Sequence, residues 1–333
     1  MIVVTGATGF VGSVLVRQLV EDGQEVRILR RASSSLDLLG DLEPSGRRSQ
    51  VEHVVGDVTD PDVVFPALEG AETVYHVAGY VGFGRRARPM LRHVNVQGTA
   101  TIVNAALEGG VRRLVHTSSI AALGRPLRFT GVLDETSPWR DSTANTHYAI
   151  SKRDADLEVA RGVAEGLDAV TVMPAVVFGP GRRGDGTMAI VERAASGLVA
   201  APPGGTAVVD VEDVARGMRL AAEHGVTGER YILAAENRLW TDLLGVIADA
   251  AGTRRPRSVP PWTLLGAGWA SQAWAAVTGS DPALSVAQAR GSVGTYRYDG
   301  SRATRDLGLT YRPFEDTARR AVAALEDDPT RQA

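Results

Sequence analysis

The sequence contains no cysteine. Disulfides, thiolate nucleophiles and cysteine-ligated metal are therefore excluded, and no metal site is expected. Lysine is almost as scarce, since of the 36 Lys and Arg residues only Lys152 is lysine. No block of like charge interrupts the 333 residues, and the formal net charge is only -3. Nothing here offers the basic footprint of a nucleic-acid-binding surface or a charged tail. A membrane span is also missing. The uncharged stretch from Pro260 to Gly279 is broken by two prolines, three glycines and the pair Ser271-Gln272. Apolar sequence begins at Met1, which leaves no room for a signal peptide, so a cytoplasmic location is expected.

What the chain does have is length enough for one large or two medium domains, with 44% hydrophobic residues to build a core. It opens on Ile2-Val3-Val4, a run suited to a strand buried on both faces. Thr5-Gly6-Ala7-Thr8-Gly9-Phe10-Val11-Gly12 follows, and then Val11, Leu15, Leu19 and Val20 recur at helical spacing. Strand, glycine turn and helix in that order form the cradle for a dinucleotide pyrophosphate. Gly6 allows the tight turn, Gly9 lets backbone approach the phosphates, and Gly12 lets the helix pack on the strand. The free N–H groups at the helix start face the anion.

Further segments alternate between strand and helix. Strands are read at Glu25–Arg30, Val51–Val58, Thr73–Gly79, Arg113–Thr117 and Ala169–Met173, with a helix through Asn95 to Leu107 and another from about Tyr148 to Val163. This alternation predicts an α/β Rossmann fold, a doubly wound parallel sheet followed by a smaller C-terminal substrate-binding lobe. The expected division places the dinucleotide domain at 1–175, with returning segments at about 206–235. The substrate lobe takes 176–205 and 236–325. Ligands bind such sheets at the carboxyl ends of the strands, where the second strand carries Arg30 and Arg31. An acidic residue there would bind ribose hydroxyls, whereas arginine suits a 2′-phosphate, so NADP is preferred with NAD as the alternative. Within Pro260 to Gly279, the residues Trp262, Leu265, Trp269, Ala273 and Ala276 fall on one helical stripe. Core packing and an apolar pocket wall are equally open readings of it.

The second chemical signal is Tyr148-Ala149-Ile150-Ser151-Lys152, preceded in sequence by Ser118-Ser119. Tyr148 and Lys152 are four apart, on one face of a helix. A phenol with an unperturbed pKa near ~10 is a weak acid-base catalyst at neutral pH, and a neighbouring ammonium favours its ionised form. Lysine is a compact charge whose proton affinity can be tuned, which explains why one survives in a chain that otherwise uses arginine.

TGATGFVG, GDVTD, VYHVAG, VNVQGT, VHTSS and YAISK together resemble the extended short-chain dehydrogenase/reductase superfamily, the NAD-dependent epimerase/dehydratase family, over nearly the whole chain. PAVVFGPG and YRYDGSRATRDLGL are similar to its dihydroflavonol 4-reductase-like and 3β-hydroxysteroid dehydrogenase-like branch. The resemblance implies Ser119 as the serine that positions substrate oxygen, Tyr148 as general acid or base, and Lys152 as its partner. It also implies a cofactor held by Gly6, Thr8, Gly9, Phe10, Val11 and Gly12, with Asp57 and Val58 at the adenine, Ala78 and Gly79 beside the adenosine ribose, and Pro174 near the nicotinamide. Sugar-nucleotide epimerases of this superfamily carry diphosphate-gripping arginines where this chain has Met173-Pro174-Ala175 and Thr206-Ala207-Val208-Val209-Asp210-Val211-Glu212-Asp213. Arg85, Arg86, Arg88, Arg182 and Arg183 read first as a solvated basic face, with substitution for those arginines from the loops as the alternative.

The expectation is an NADP-dependent oxidoreductase acting on a carbonyl or alcohol of a mostly apolar small molecule. A nucleotide-sugar epimerase or dehydratase using NAD, and a non-catalytic NADP-binding regulator, are the alternatives. Expected partners are the small-molecule substrate and, in a homodimer, a second copy of the chain.

Overall fold

Val3, Val4, Val74, Leu114, Val115, Val170 and Val172 are fully buried, as strands covered on both faces must be. In the computed structural model, which describes residues 1–42, 51–82, 84, 86–126, 131–278 and 286–326, they belong to one parallel sheet. Its strands are β1 (Ile2–Thr5), β2 (Val26–Arg30), β3 (Val51–Val55), β4 (Thr73–His76), β5 (Arg113–Thr117), β6 (Ala169–Pro174) and β9 (Arg230–Leu233). They lie in the order β9-β6-β5-β4-β1-β2-β3. Chain direction reverses across the sheet between β1 and β4, and the crevice at the carboxyl ends of those two strands is where such sheets take ligands.

Helices cover both faces. α1 (Phe10–Glu21) buries Leu15, Val16, Leu19 and Val20 on one side, where α5 (Val211–His224) joins it. On the other side lie α2 (Pro61–Leu68), α3 (Gly98–Glu108) and α4 (His147–Ala164). α4 starts at Thr146, whose hydroxyl accepts a hydrogen bond from the Ala149 N–H at 3.1 Å. Its buried residues Ala149, Ser151, Lys152, Ala155 and Val159 form one stripe, and the small ones bring the helix close to the sheet. The helix expected through Asn95 begins as a π-helical turn, Arg92–Gln97, which α3 continues. Such turns are frequent at functional sites.

The returning segments expected over 206–235 divide between two sheets. Arg230–Leu233 joins the main sheet beside β6. Gly205–Asp210 (β8) instead pairs with β7 (Val176–Phe178) and with β10 (Glu236–Leu239) in a separate three-stranded sheet. Alternating strands and helices look alike in sequence whichever sheet they enter, because the partner strand is a long-range choice.

The tryptophan stripe also differs from the core reading. α6 (Pro261–Thr278) is a helix as its spacing predicts, yet Trp262, Trp269 and Trp274 are 73%, 60% and 70% exposed. The helix buries Gly268 and Ala275 instead. Helical periodicity groups residues on a face without saying whether anything covers it. Arg85, Gly279 and the side chain of Ala276 lie outside the described residues. Trp269→Ser is accordingly expected to change unfolding free energy by less than about 0.5 kcal/mol, the range of ordinary surface substitutions. Urea denaturation measures it, and a loss above about 3 kcal/mol, the size of a core aromatic deletion, would restore the core reading. No described helix is long and apolar enough to cross a membrane.

Candidate active site

The glycine turn has a geometry only glycine permits at two of its positions. Gly6 has φ +69°, and a Cβ built on it would sit 2.5 Å from the Ala78 nitrogen. A Cβ on Gly12 would sit 2.2 Å from the Gly6 carbonyl oxygen, so α1 rests directly on the turn. Gly9 differs: its φ is -86°, it is exposed, and a Cβ there would lie 3.3 Å from the Gly6 oxygen. Gly9 caps α1 without a side-chain acceptor, and no acidic residue occupies the first turn. The helix start is left open to an anion. Thr8, Phe10 and Val11 are half-buried around this opening, and the loop carrying Gly181 comes back against the Phe10 ring.

Next to the turn, β4 ends in a buried polar network. The Ala78 N–H donates to Thr5 Oγ1 at 3.2 Å, and Thr5 Oγ1 lies 2.8 Å from His76 Nδ1. His76 Nε2 is 3.0 Å from Thr99 Oγ1. Both ring nitrogens of His76 are thus engaged, and burial holds this histidine well below the usual imidazole range. Beyond Ala78, Gly79 is exposed, and a Cβ on it would lie 3.5 Å from both Lys152 Nζ and Asn95 Oδ1. The position left bare by Gly79 is where the lysine reaches the crevice.

Ser119, Tyr148 and Lys152 converge on this crevice from β5 and α4. Ser119 follows β5 and caps a short 3-10 turn, Ile120–Leu123, its Oγ accepting from the Ala121 N–H at 3.2 Å. Tyr148 lies near the start of α4, its hydroxyl beside the Ser119 side chain. Lys152 is one turn further on, buried, and its Nζ donates to the Thr117 carbonyl at 2.7 Å. Burial lowers the lysine pKa from 10.5 to about 8, opposed by Asp156. Burial raises that of Tyr148, with Ser119 opposing and Asp156 reinforcing. Burial and Asp156 thus favour the protonated phenol of Tyr148. Its phenol is a held proton.

Several residues of this crevice were not singled out by sequence reasoning. Asn95, inside the π-helical turn, accepts from the Tyr80 N–H at 2.7 Å and donates to the Tyr80 carbonyl at 3.0 Å and to Ser151 Oγ at 2.9 Å. It ties the loop after β4 to α4. His116 and Asp156 meet behind Lys152, with Nε2 and Oδ1 3.3 Å apart but not aligned for a hydrogen bond. Asn95 stands in VNVQGT and could have been flagged by that motif. His116 likewise stands in VHTSS, whereas nothing local distinguishes Asp156 on a charged helix.

The remaining cofactor candidates lie around the same edge. Asp57 Oδ1 accepts from both the N–H and hydroxyl of Thr59, at 3.0 and 2.8 Å, and Val58 packs against Gly98. Pro174 is buried at the end of β6. Arg30 is turned inward, its Nε 3.1 Å from His53 Nδ1, while Arg31 is exposed. The two arginines proposed from sequence as a pair thus separate. Arg182 faces Asp185 and Asp37, and Arg183 is held by Glu192 at 3.2 Å, so both meet carboxylates rather than an open cleft. Arg86 and Arg88 are exposed. Among the described residues no cluster of potential metal ligands occurs. The bare glycine cradle, the open helix start and the lysine behind Gly79 fit a dinucleotide with its pyrophosphate on α1 and a ribose beside Lys152.

Residues 2–234 match the model of the NAD dependent epimerase/dehydratase family. The chain is similar to a Synechocystis sp. protein named as a dihydroflavonol 4-reductase, at 33% identity over 92% of this chain and 89% of that one. It is also similar to sterol demethylase protein B of Methylococcus capsulatus, at 35% identity over 79% of this chain and 78% of that one. Among solved structures, the crystal structure of gox2253 superposes with a TM-score of 0.84 at 33% identity and covers 98% of both chains.

Proposed function

Because this chain belongs to the NAD-dependent epimerase/dehydratase family and is an NAD(P)-dependent oxidoreductase, we propose that it reduces a carbonyl of a mostly apolar small molecule, with NADP as its preferred cofactor. The observation that carries this reading is the convergence of Ser119, Tyr148 and Lys152 at the crevice behind Gly79. A bound nicotinamide dinucleotide supplies the hydride. Tyr148 holds the proton that the developing alkoxide takes, and its raised pKa keeps that proton in place at neutral pH. Ser119 already meets the phenol, so a carbonyl oxygen accepting from both would be oriented for proton transfer. Lys152 orients the ribose and, when a substrate oxygen draws on the phenol, its charge eases the loss of the proton. Gly6, Gly9 and Gly12 seat the pyrophosphate, while Asp57, Val58, Ala78 and Pro174 line its path. Arg183 is held by Glu192, which withdraws one loop arginine from gripping a sugar diphosphate and supports the apolar substrate.

Titration of NADPH and NADH by calorimetry, followed by a ketone and steroid screen for carbonyl-dependent cofactor oxidation, tests the proposal. Tight NADPH binding without turnover of any carbonyl, or retention of NAD through purification with epimerase activity, would overturn it. The NADP preference rests on Arg31. Arg31→Ala is expected to weaken NADPH binding about tenfold or more, as loss of a charge-assisted phosphate contact does, with NADH binding unchanged. Equal effects on both cofactors would remove Arg31 from that role.

A further inference from the structure

Asp156 stands one helical turn beyond Lys152 on α4, on the same face, with a side chain only 13% exposed. Its Oδ1 is buried and makes no hydrogen bond. His116, 1% exposed, faces it at 3.3 Å from β5, the strand whose next residue, Thr117, gives its carbonyl to Lys152 Nζ at 2.7 Å. A buried carboxylate needs a compensating charge, because desolvation penalises it strongly when it stands alone. Of the charged groups on its own helix, Arg153 goes to Asp154 and Arg161 to Glu158 and Glu165. His116 does not supply the charge. Burial holds its pKa below the usual imidazole value even though the facing Asp156 raises it, the nearby Lys152 lowers it further, and its ring lies 5.5 Å from that of His76, which is held neutral by burial. Lys152 is left.

We propose that Asp156, positioned by His116, is the buried counter-charge that keeps Lys152 protonated, and hence a positioning residue for the Tyr148 proton donor. This rests on the proposed carbonyl reduction only for its purpose, since the placement of Asp156 one turn beyond Lys152 and against His116 is a property of the folded chain. The groups around the ammonium are the His76 and His116 rings from β4 and β5, the Thr117 carbonyl, Gly79 and Asn95 from the loop and turn after β4, and Tyr148 and Asp156 on α4. Of these only Asp156 carries negative charge at neutral pH. It attracts the protonated amine alone, so removing it moves the lysine midpoint down, and it also opposes ionisation of Tyr148.

The single lysine makes the test direct. Protein labelled at the lysine side-chain nitrogen gives one lysine resonance, whose shift against pH reads the Lys152 midpoint with no substrate required. In the unsubstituted protein the midpoint is expected at about 8. Asp156→Asn should lower it by about one pH unit or more, and Asp156→Glu should bring it back. Asp154→Asn, at an exposed neighbour, should leave it unmoved. If Asp156→Asn does not fold, Asp156→Ser serves in its place. A Lys152 midpoint unmoved by Asp156→Asn or Asp156→Ser would overturn the proposal. Either result leaves the carbonyl-reductase reading intact. Failure of that reading in turn leaves the lysine titration untouched.

Discussion

Tyr148→Phe is expected to lower turnover by about 100- to 10,000-fold, the range attributable to a positioned proton donor, with dinucleotide affinity close to that of the unsubstituted chain. The substitution removes one oxygen from a buried ring. Ser119 keeps its hydrogen bond from the Ala121 N–H at 3.2 Å, so the serine is not released. Lys152 keeps its bond to the Thr117 carbonyl at 2.7 Å, so the ribose side of the crevice is unchanged. Loss of the Ser119 contact costs about 1 kcal/mol of stability. Steady-state rates with a carbonyl found by the screen, beside calorimetric NADPH affinity, separate chemistry from binding. Retained turnover would move the proton donor elsewhere, and a loss confined to affinity would make Tyr148 a binding residue.

Gly6→Ala is expected to damage both stability and cofactor binding. At φ +69° an alanine is disfavoured by about 1–2 kcal/mol. The added Cβ also meets the backbone nitrogen and Cα of Ala78 at 2.5 and 2.7 Å, atoms that move only if β1 and β4 part. Overpacking of this kind costs about 1–3 kcal/mol more. Because the same edge carries the open end of α1 and Gly79, NADPH affinity should fall about 100-fold, the equivalent of losing about 3 kcal/mol of phosphate contacts. Gly9→Ala is the informative control. Its φ of -86° suits any residue and its Cβ would meet one carbonyl oxygen at 3.3 Å, so stability should change little. Thermal melts on the two variants measure the contrast, and similar stability losses at both positions would refute the geometric argument.

Much of this site was legible from residue order. The glycine turn is local, and a strand-turn-helix of a dozen residues contains nearly all the interactions that shape it. The Tyr148 and Lys152 pair was visible because four residues make one helical turn, and Lys152 drew notice as the only lysine. Three things were not legible. Arg30 and Arg31 read as a pair, but Arg30 ends β2 against His53 of the neighbouring strand while Arg31 lies beyond the strand and is exposed. Trp262 and Trp269 of α6 share a stripe, yet its exposure depends on what the rest of the chain places beside it. Gly205–Asp210 has a strand pattern that fits either sheet.

Residue order alone determined which segments are strands and helices, where the phosphate cradle begins, and that a phenol and an amine share a helical face, because each of these depends on contacts within a few turns or a single hairpin's reach. Tertiary structure alone decided that His116 and Asp156 meet behind that amine, that Asn95 ties the β4 loop to α4, and that an aromatic stripe faces outward. Burial and charge compensation arise between segments far apart in the chain, and no local pattern encodes which of them will touch.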